Sequence, residues 1–311
     1  MGSLNTADGT TLHTEERGDP TAPVSVILVH GWTLDSRTWG YQLTHLPEEV
    51  GRPVHVLAFD NRGHGRSGPV RVADATIAQV AGDLAEVIGQ RGAKRVVLAG
   101  HSLGGMAIMA LAESHPELLD RVAGIALVAT SAGGLAEVTL GLSPRAAARR
   151  TRIEAAMNRR MLARGDKPGR LPAVVVRPGV RWLTFGKPVD RAGLRVAAQM
   201  VAGCSPYTVA AFRASLDEHD RAVLLPRLAG RPVLVAAGSR DRLTPLAHSQ
   251  LLAREIPGAE LVSYDEAGHM LPLERGPDLT RRLADLVRAV YPVSEAHPVS
   301  GDAGQQPPSR P

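Results

Sequence analysis

The chain has 311 residues, 44% hydrophobic and 22% charged, enough for one large or two small domains around a buried core; that balance excludes global disorder. Its single cysteine, Cys204, excludes an internal disulfide and a zinc site built from several thiolates, and it points to a reducing, cytoplasmic setting. The net charge of +5 is unevenly spread: residues 132–200 carry 14 basic and four acidic side chains, while the remainder is slightly acidic.

Along the chain, short apolar runs alternate with longer amphipathic stretches. Val24 to Val29 and Val54 to Phe59 read as buried strands, being short, rich in Val, Ile and Leu, and bounded by Gly, Pro or charge. A helix is expected between them, over about 35–46. The next helix covers about 76–90, where Ile77, Val80, Leu84, Val87 and Ile88 recur on one face. The strand Val96 to Ala99 follows, then a helix over 103–114 that stops near Pro116. Further strands are expected at Ile125 to Ala129, Val233 to Ala237 and Leu261 to Tyr264. Helices follow Pro245 and cover about 277–290. Such alternation predicts an α/β fold: a mostly parallel, doubly wound sheet with helices on both faces.

Residues 132–220 break the rhythm and read as a helical insertion. Ser143-Pro144 and Ser205-Pro206 each start a helix, with Ser capping and Pro at the first helical position. Ile153, Met157 and Met161 recur on one face of the first, and Val209, Phe212 and Leu216 on one face of the second. The insertion is expected to cap the end of the sheet, with 1–131 and 221–291 forming the core. The connector 165–179 holds three prolines and three glycines and is expected to be loop. Residues 292–311, poor in apolar side chains, are expected to be a disordered tail.

No run of about 18 uncharged apolar residues is present, so no transmembrane segment is expected. No basic region followed by an apolar core opens the chain, so no secretory leader is expected. The net +10 of residues 132–200 would suit an anionic substrate, an acidic carrier protein or an anionic membrane surface. A solvated arginine-rich face is the plainer reading. Aromatic residues make up only 3% of the chain, which argues against nucleic-acid binding.

The strongest local pattern is Gly100-His101-Ser102-Leu103-Gly104, between an expected strand and an expected helix. A Gly-x-Ser-x-Gly turn in that context lifts a serine hydroxyl above the sheet, with glycines leaving room for the turn. A serine needs a base, and the base needs an orienting carboxylate. Asp241 and His269 each follow an expected strand, where sites form in open α/β sheets. Asp265 is too near His269 to come from a separate strand end, and Asp217 and Asp220 belong to the insertion. An oxyanion needs two amide donors. Leu103, after the serine, offers one, and Trp32, after His30-Gly31, offers the second. His30, His101 and His269 could approach one another, but a metal is not expected because His269 already has a base role. No P-loop, dinucleotide fingerprint or His-Glu-x-x-His helix is present, so no cofactor is expected.

These segments occur in a familiar order: His30-Gly31-Trp32, Asp60 to Ser67, Gly100 to Gly105, Gly238 to Asp241, and Gly268-His269. The chain resembles the α/β-hydrolase superfamily over about residues 8–291, in particular the cofactor-free haloperoxidases, carboxylesterases and monoacylglycerol lipases. Haloalkane dehalogenases and epoxide hydrolases carry Asp at the elbow, where this chain has Ser102. The Asp60 to Ser67 loop and His101 are expected to be scaffold. The resemblance implies a serine hydrolase acting on small carboxylic esters through an acyl-enzyme. A thioesterase or acyl-handling enzyme of a biosynthetic pathway, or a C–C bond hydrolase, would use the same three residues. A small-molecule receptor with residual hydrolysis is the non-enzymatic alternative. Acyl length, leaving group and oligomeric state leave no mark in the sequence.

Overall fold

Alternation along the apolar strands decides how the sheet is buried. In the computed structural model, which describes residues 2–165 and 171–291, eight strands form one sheet. They are β1 (Gly2–Asn5), β2 (Thr11–Gly18), β3 (Val24–Val29), β4 (His55–Phe59), β5 (Arg95–His101), β6 (Val122–Val128), β7 (Val233–Gly238) and β8 (Ala259–Tyr264), in the spatial order 1-2-4-3-5-6-7-8. β3 to β8 run parallel, and β2 is antiparallel to both of its neighbours. The helices are α1 (Gly40–Val50), α2 (Ile77–Arg91), α3 (Leu103–Ser114), α4 (Pro144–Arg164), α5 (Ala173–Thr184), α6 (Arg191–Gly203), α7 (Pro206–Asp217), α8 (Leu246–Glu255), α9 (Leu271–Glu274) and α10 (Gly276–Val290).

Successive side chains of the central strands enter opposite layers. Ile27, Val29, Leu57 and Phe59 pack with α2, α3 and α8, whereas Val26, Leu28, Val56 and Ala58 pack with α1 and α10. Each fully buried Val, Leu or Ile contributes about 1.5–3 kcal/mol relative to exposure, so this two-sided burial is the main source of the sheet's stability. The expected α/β architecture is therefore present. No helix among the described residues is long and apolar enough to cross a membrane.

Three local expectations are corrected. The edge strands β1 and β2 escaped the periodicity because β2 is mostly polar and buries only Leu12 and Thr14 along its length. The first helix starts later, after a 3-10 turn at Ser36–Trp39 capped by Asp35, and runs past Pro47 to Val50. The connector 165–179 is not all loop, because α5 begins at Ala173 and carries Pro178 inside it. Its Val180, with the following Phe185, packs against Leu194, Ala197 and Met200 of α6, which compensates for the lost N–H. The tail 292–311 and residues 166–170 lie outside the described residues.

Helices α4 to α7 interrupt the chain between β6 and β7. α4 packs on α7 and α5 on α6, while Phe212 and Leu216 of α7 join the main core. The parallel strands deliver Trp32, Ser102, Asp241 and His269 in the turns after β3, β5, β7 and β8, all at their carboxyl ends.

Candidate active site

The turn after β5 is forced into a conformation that L side chains avoid. Ser102 has φ +53° and ψ −117° and opens α3. Such backbone costs on the order of 1–3 kcal/mol and persists only where the surroundings over-determine it. Here the Ser102 N–H donates to the Val128 carbonyl at 2.9 Å, and Thr130 Oγ1 donates to the Ser102 carbonyl at 2.7 Å. The flanking glycines let the backbones close. A Cβ on Gly100 would lie 2.5 Å from the Gly104 carbonyl, and one on Gly104 would lie 2.2 Å from the Val29 oxygen.

Asp241 and His269 meet from neighbouring strand ends. His269 Nδ1 lies 2.7 Å from Asp241 Oδ2, and both residues are buried. The carboxylate is further fixed by the N–H groups of Leu243 and Thr244 at 2.8 and 2.9 Å and by the Thr244 hydroxyl at 2.8 Å. Burial alone would raise the Asp241 pKa, but the His269 charge and these hydrogen bonds outweigh it and hold the carboxyl below its ordinary value. An ionised Asp241 fixes the proton on Nδ1 and leaves Nε2 as the basic nitrogen. Ser102 Oγ and His269 share no hydrogen bond in the free protein; contacts of this kind are often long until substrate arrives. The rival acids make other contacts: Asp265 accepts from Ser239, Asp217 pairs with Arg213, and Asp220 accepts from Ala222 N–H.

The histidine loop is tied on three sides. His101 Nε2 donates to the His269 carbonyl at 2.8 Å, and the two rings lie 4.9 Å apart. Burial lowers the His101 pKa to about 3, so the ring is neutral and links the elbow to the histidine loop. The Thr184 carbonyl, at the end of α5, accepts from His269 N–H at 2.8 Å. Glu274 accepts from the N–H groups of Gly268 and Met270, on either side of His269, and from that of Gly186. Thr244 and Glu274 were not anticipated. Thr244 stands three residues after Asp241, a spacing at which an Asp side chain commonly captures local backbone. Among the described residues the Glu274 carboxylate binds backbone amides alone, which leave no trace in side-chain patterns.

Leu103 is the first residue of α3, so its N–H has no acceptor within the helix. Trp32 follows Gly31, whose Cβ position would lie 3.1 Å from Ser102 Cβ, so this turn passes beside the serine. Trp32 and Ser102 open onto a cavity of about 330 Å³. Met106 of α3, Met157 and Met161 of α4, and Leu216 of α7 form much of its wall. The segment Asp60 to Ser67 is consumed internally: Asp60 accepts from Ser36 and Arg66 N–H, and Arg62 grips Asp83 through two hydrogen bonds. His30 faces the Gly31 carbonyl and accepts from Asn61 N–H.

Residues 26–283 match the model of the alpha/beta hydrolase family. The pimeloyl-[acyl-carrier protein] methyl ester esterase of Aromatoleum aromaticum is 27% identical over 276 residues, covering 85% of this chain and 98% of that protein. Among solved structures, a thermophilic esterase from Thermogutta terrifontis has a TM-score of 0.74 at 27% identity, covering 94% of this chain and 99% of that one. A bromoperoxidase from Bacillus anthracis shares the fold with a TM-score of 0.70 at 18% identity, covering 92% and 100% of the two chains.

Proposed function

The chain belongs to the alpha/beta hydrolase family, and from that premise we propose that it is a serine esterase using Ser102, His269 and Asp241. The observation that carries this reading is the buried 2.7 Å contact between Asp241 and His269, at the same sheet edge as the strained Ser102. His269 Nε2 takes the Ser102 proton while Oγ attacks the ester carbonyl carbon. The oxyanion is held by the Trp32 and Leu103 N–H groups. As the C–O bond breaks, the alcohol leaves with the proton from His269. Water then repeats the attack on the acyl-enzyme, with His269 again the base, and Ser102 recovers its proton. Asp241 stays ionised throughout and stabilises the imidazolium.

Residues 132–220 act in this reading as a cap that closes the cavity over the serine. Arg145, Arg149, Arg152, Arg159 and Arg160 of α4 are exposed, an outer face that suits an acidic carrier. The Aromatoleum relative is named for a carrier-linked methyl ester, which favours an acyl-carrier substrate as the second reading. Labelling with a fluorophosphonate tests the common chemistry. Ser102 should react within minutes and no other serine should; a protein left unlabelled would remove the esterase reading.

A further inference from the structure

The cavity beside Ser102 has two kinds of wall. Part of it is apolar, with Met106 and Leu216 among its sides. It is also lined by two arginines and two acids, Arg150 and Glu154 from α4 and Arg213 and Asp217 from α7. These four do not form one closed network. Arg213 is committed to Asp217, with Nε at 2.9 Å and the second nitrogen at 2.7 Å. Arg150 donates through one terminal nitrogen to the Val138 carbonyl at 3.1 Å, while its Nε is buried without a hydrogen bond among the described residues. Among the described residues Glu154, whose side chain is about one-third exposed, has long ion contacts alone, 3.5 Å to that Nε and 4.0 Å to Arg213.

A donor and an acceptor therefore face each other in the cavity wall, in an ion contact too long for a hydrogen bond. A polar atom buried without a hydrogen bond, as Arg150 Nε is, costs stability, and an occupant that bridges the pair gains what the ion contact alone lacks. Building on the esterase reading, we propose that the part of the ester entering this cavity carries a neutral hydroxyl group, recognised by Arg150 and Glu154. A hydroxyl can accept from the guanidinium and donate to the carboxylate at once. A carboxylate at that position would meet Glu154, and an ammonium group would meet Arg150. Against apolar walls those repulsions are weakly screened. A plain alkyl end would strip water from both groups and return nothing.

The test is a series of chain-matched esters ending in methyl, hydroxyl, carboxylate or ammonium, with the end group on the acyl or the alcohol side. At the best chain length, kcat/KM for the hydroxyl ester should exceed that of the methyl ester about tenfold, the size of one hydrogen bond. It should exceed both charged esters by more. Glu154→Gln, nearly isosteric, should raise the carboxylate ester relative to the hydroxyl ester about tenfold. Arg150→Met should bring the hydroxyl-to-methyl ratio close to one. Arg254→Ala, at an exposed side chain of α8 outside the cavity wall, should leave every ratio as in the wild type. A wild type that prefers the carboxylate or methyl ester at every length would overturn the proposal. So would a Glu154→Gln variant with unchanged ratios. If methyl-ended esters are hydrolysed and the ratios fail, only this inference falls; if no ester is hydrolysed, the esterase reading falls and takes it along.

Discussion

The histidine loop and helix α4 both border the site beside Ser102, yet they are held by opposite means. The loop is pinned through backbone. Glu274 gathers three N–H groups, and a Cβ on Gly268 would lie 2.5 Å from the Thr184 oxygen. α4 buries none of its 21 residues, and Ile153 and Met157 remain about half exposed. Leu162 packing on the main core, the long Glu154–Arg213 ion contact and the Arg150 contact with Val138 attach it to its surroundings. Proton transfer demands fixed geometry, whereas a wall that admits substrates belongs to the less stable end of a fold. In the proposed reading the pinned loop bears the chemistry, and the loosely seated helix the choice of substrate.

Breaking the rigid side should have the largest effect. Asp241→Asn should lower kcat on a p-nitrophenyl ester by a factor on the order of 10⁴, because the amide no longer fixes the required tautomer. Asp265→Asn and Asp217→Asn should stay within about threefold of wild type. Steady-state kinetics of the three variants would expose a wrong choice of acid, since a severe loss at Asp265 would transfer the role there. Glu274→Gln should have a smaller effect. It replaces one carboxylate oxygen by a donor facing amide N–H groups, so the loop should shift and kcat fall about tenfold with KM little changed. An unchanged kcat accompanied by a lower melting temperature would reduce Glu274 to a stabilising contact.

Acid should separate the two regions more gently. Burial lowers the pKa values of His64 and His101 to about 3 and of His219 to about 4, and helices α4 to α7 contain no histidine. Below about pH 6.5 these groups take up protons in the unfolded chain but not in the folded one. Stability should therefore fall as the pH drops from 6.5 toward 4, by up to about 1.4 kcal/mol per pH unit for each histidine. Thermal melts between pH 7.5 and 5 would reveal this slope; a flat profile would contradict neutral burial of the three rings.

What the sequence disclosed follows the same division. The Gly100 to Gly104 turn was readable because its backbone tolerates no larger residue at either glycine, so the geometry dictates the letters. Asp241 and His269 were readable from position alone, each just past an apolar run that becomes β7 or β8. Helix α5 was hidden by Pro172, Pro178 and Gly179, all local signals against helix; its packing on α6 is long-range and lies outside any local window. Glu274 was invisible because its partners are amides that every residue carries. The Arg150 and Glu154 pair has the i, i+4 spacing of ordinary surface charge, and only folding α4 against α7 places it in the cavity wall.

The central claim, that Ser102 is the nucleophile, is tested most directly by the turnover of Ser102→Ala on a p-nitrophenyl ester alongside its circular dichroism and melting temperature. The predicted result is a folded protein whose kcat has fallen by a factor on the order of 10⁴ or more, since serine and base act as a unit. A folded variant retaining activity within tenfold of the wild type would contradict it.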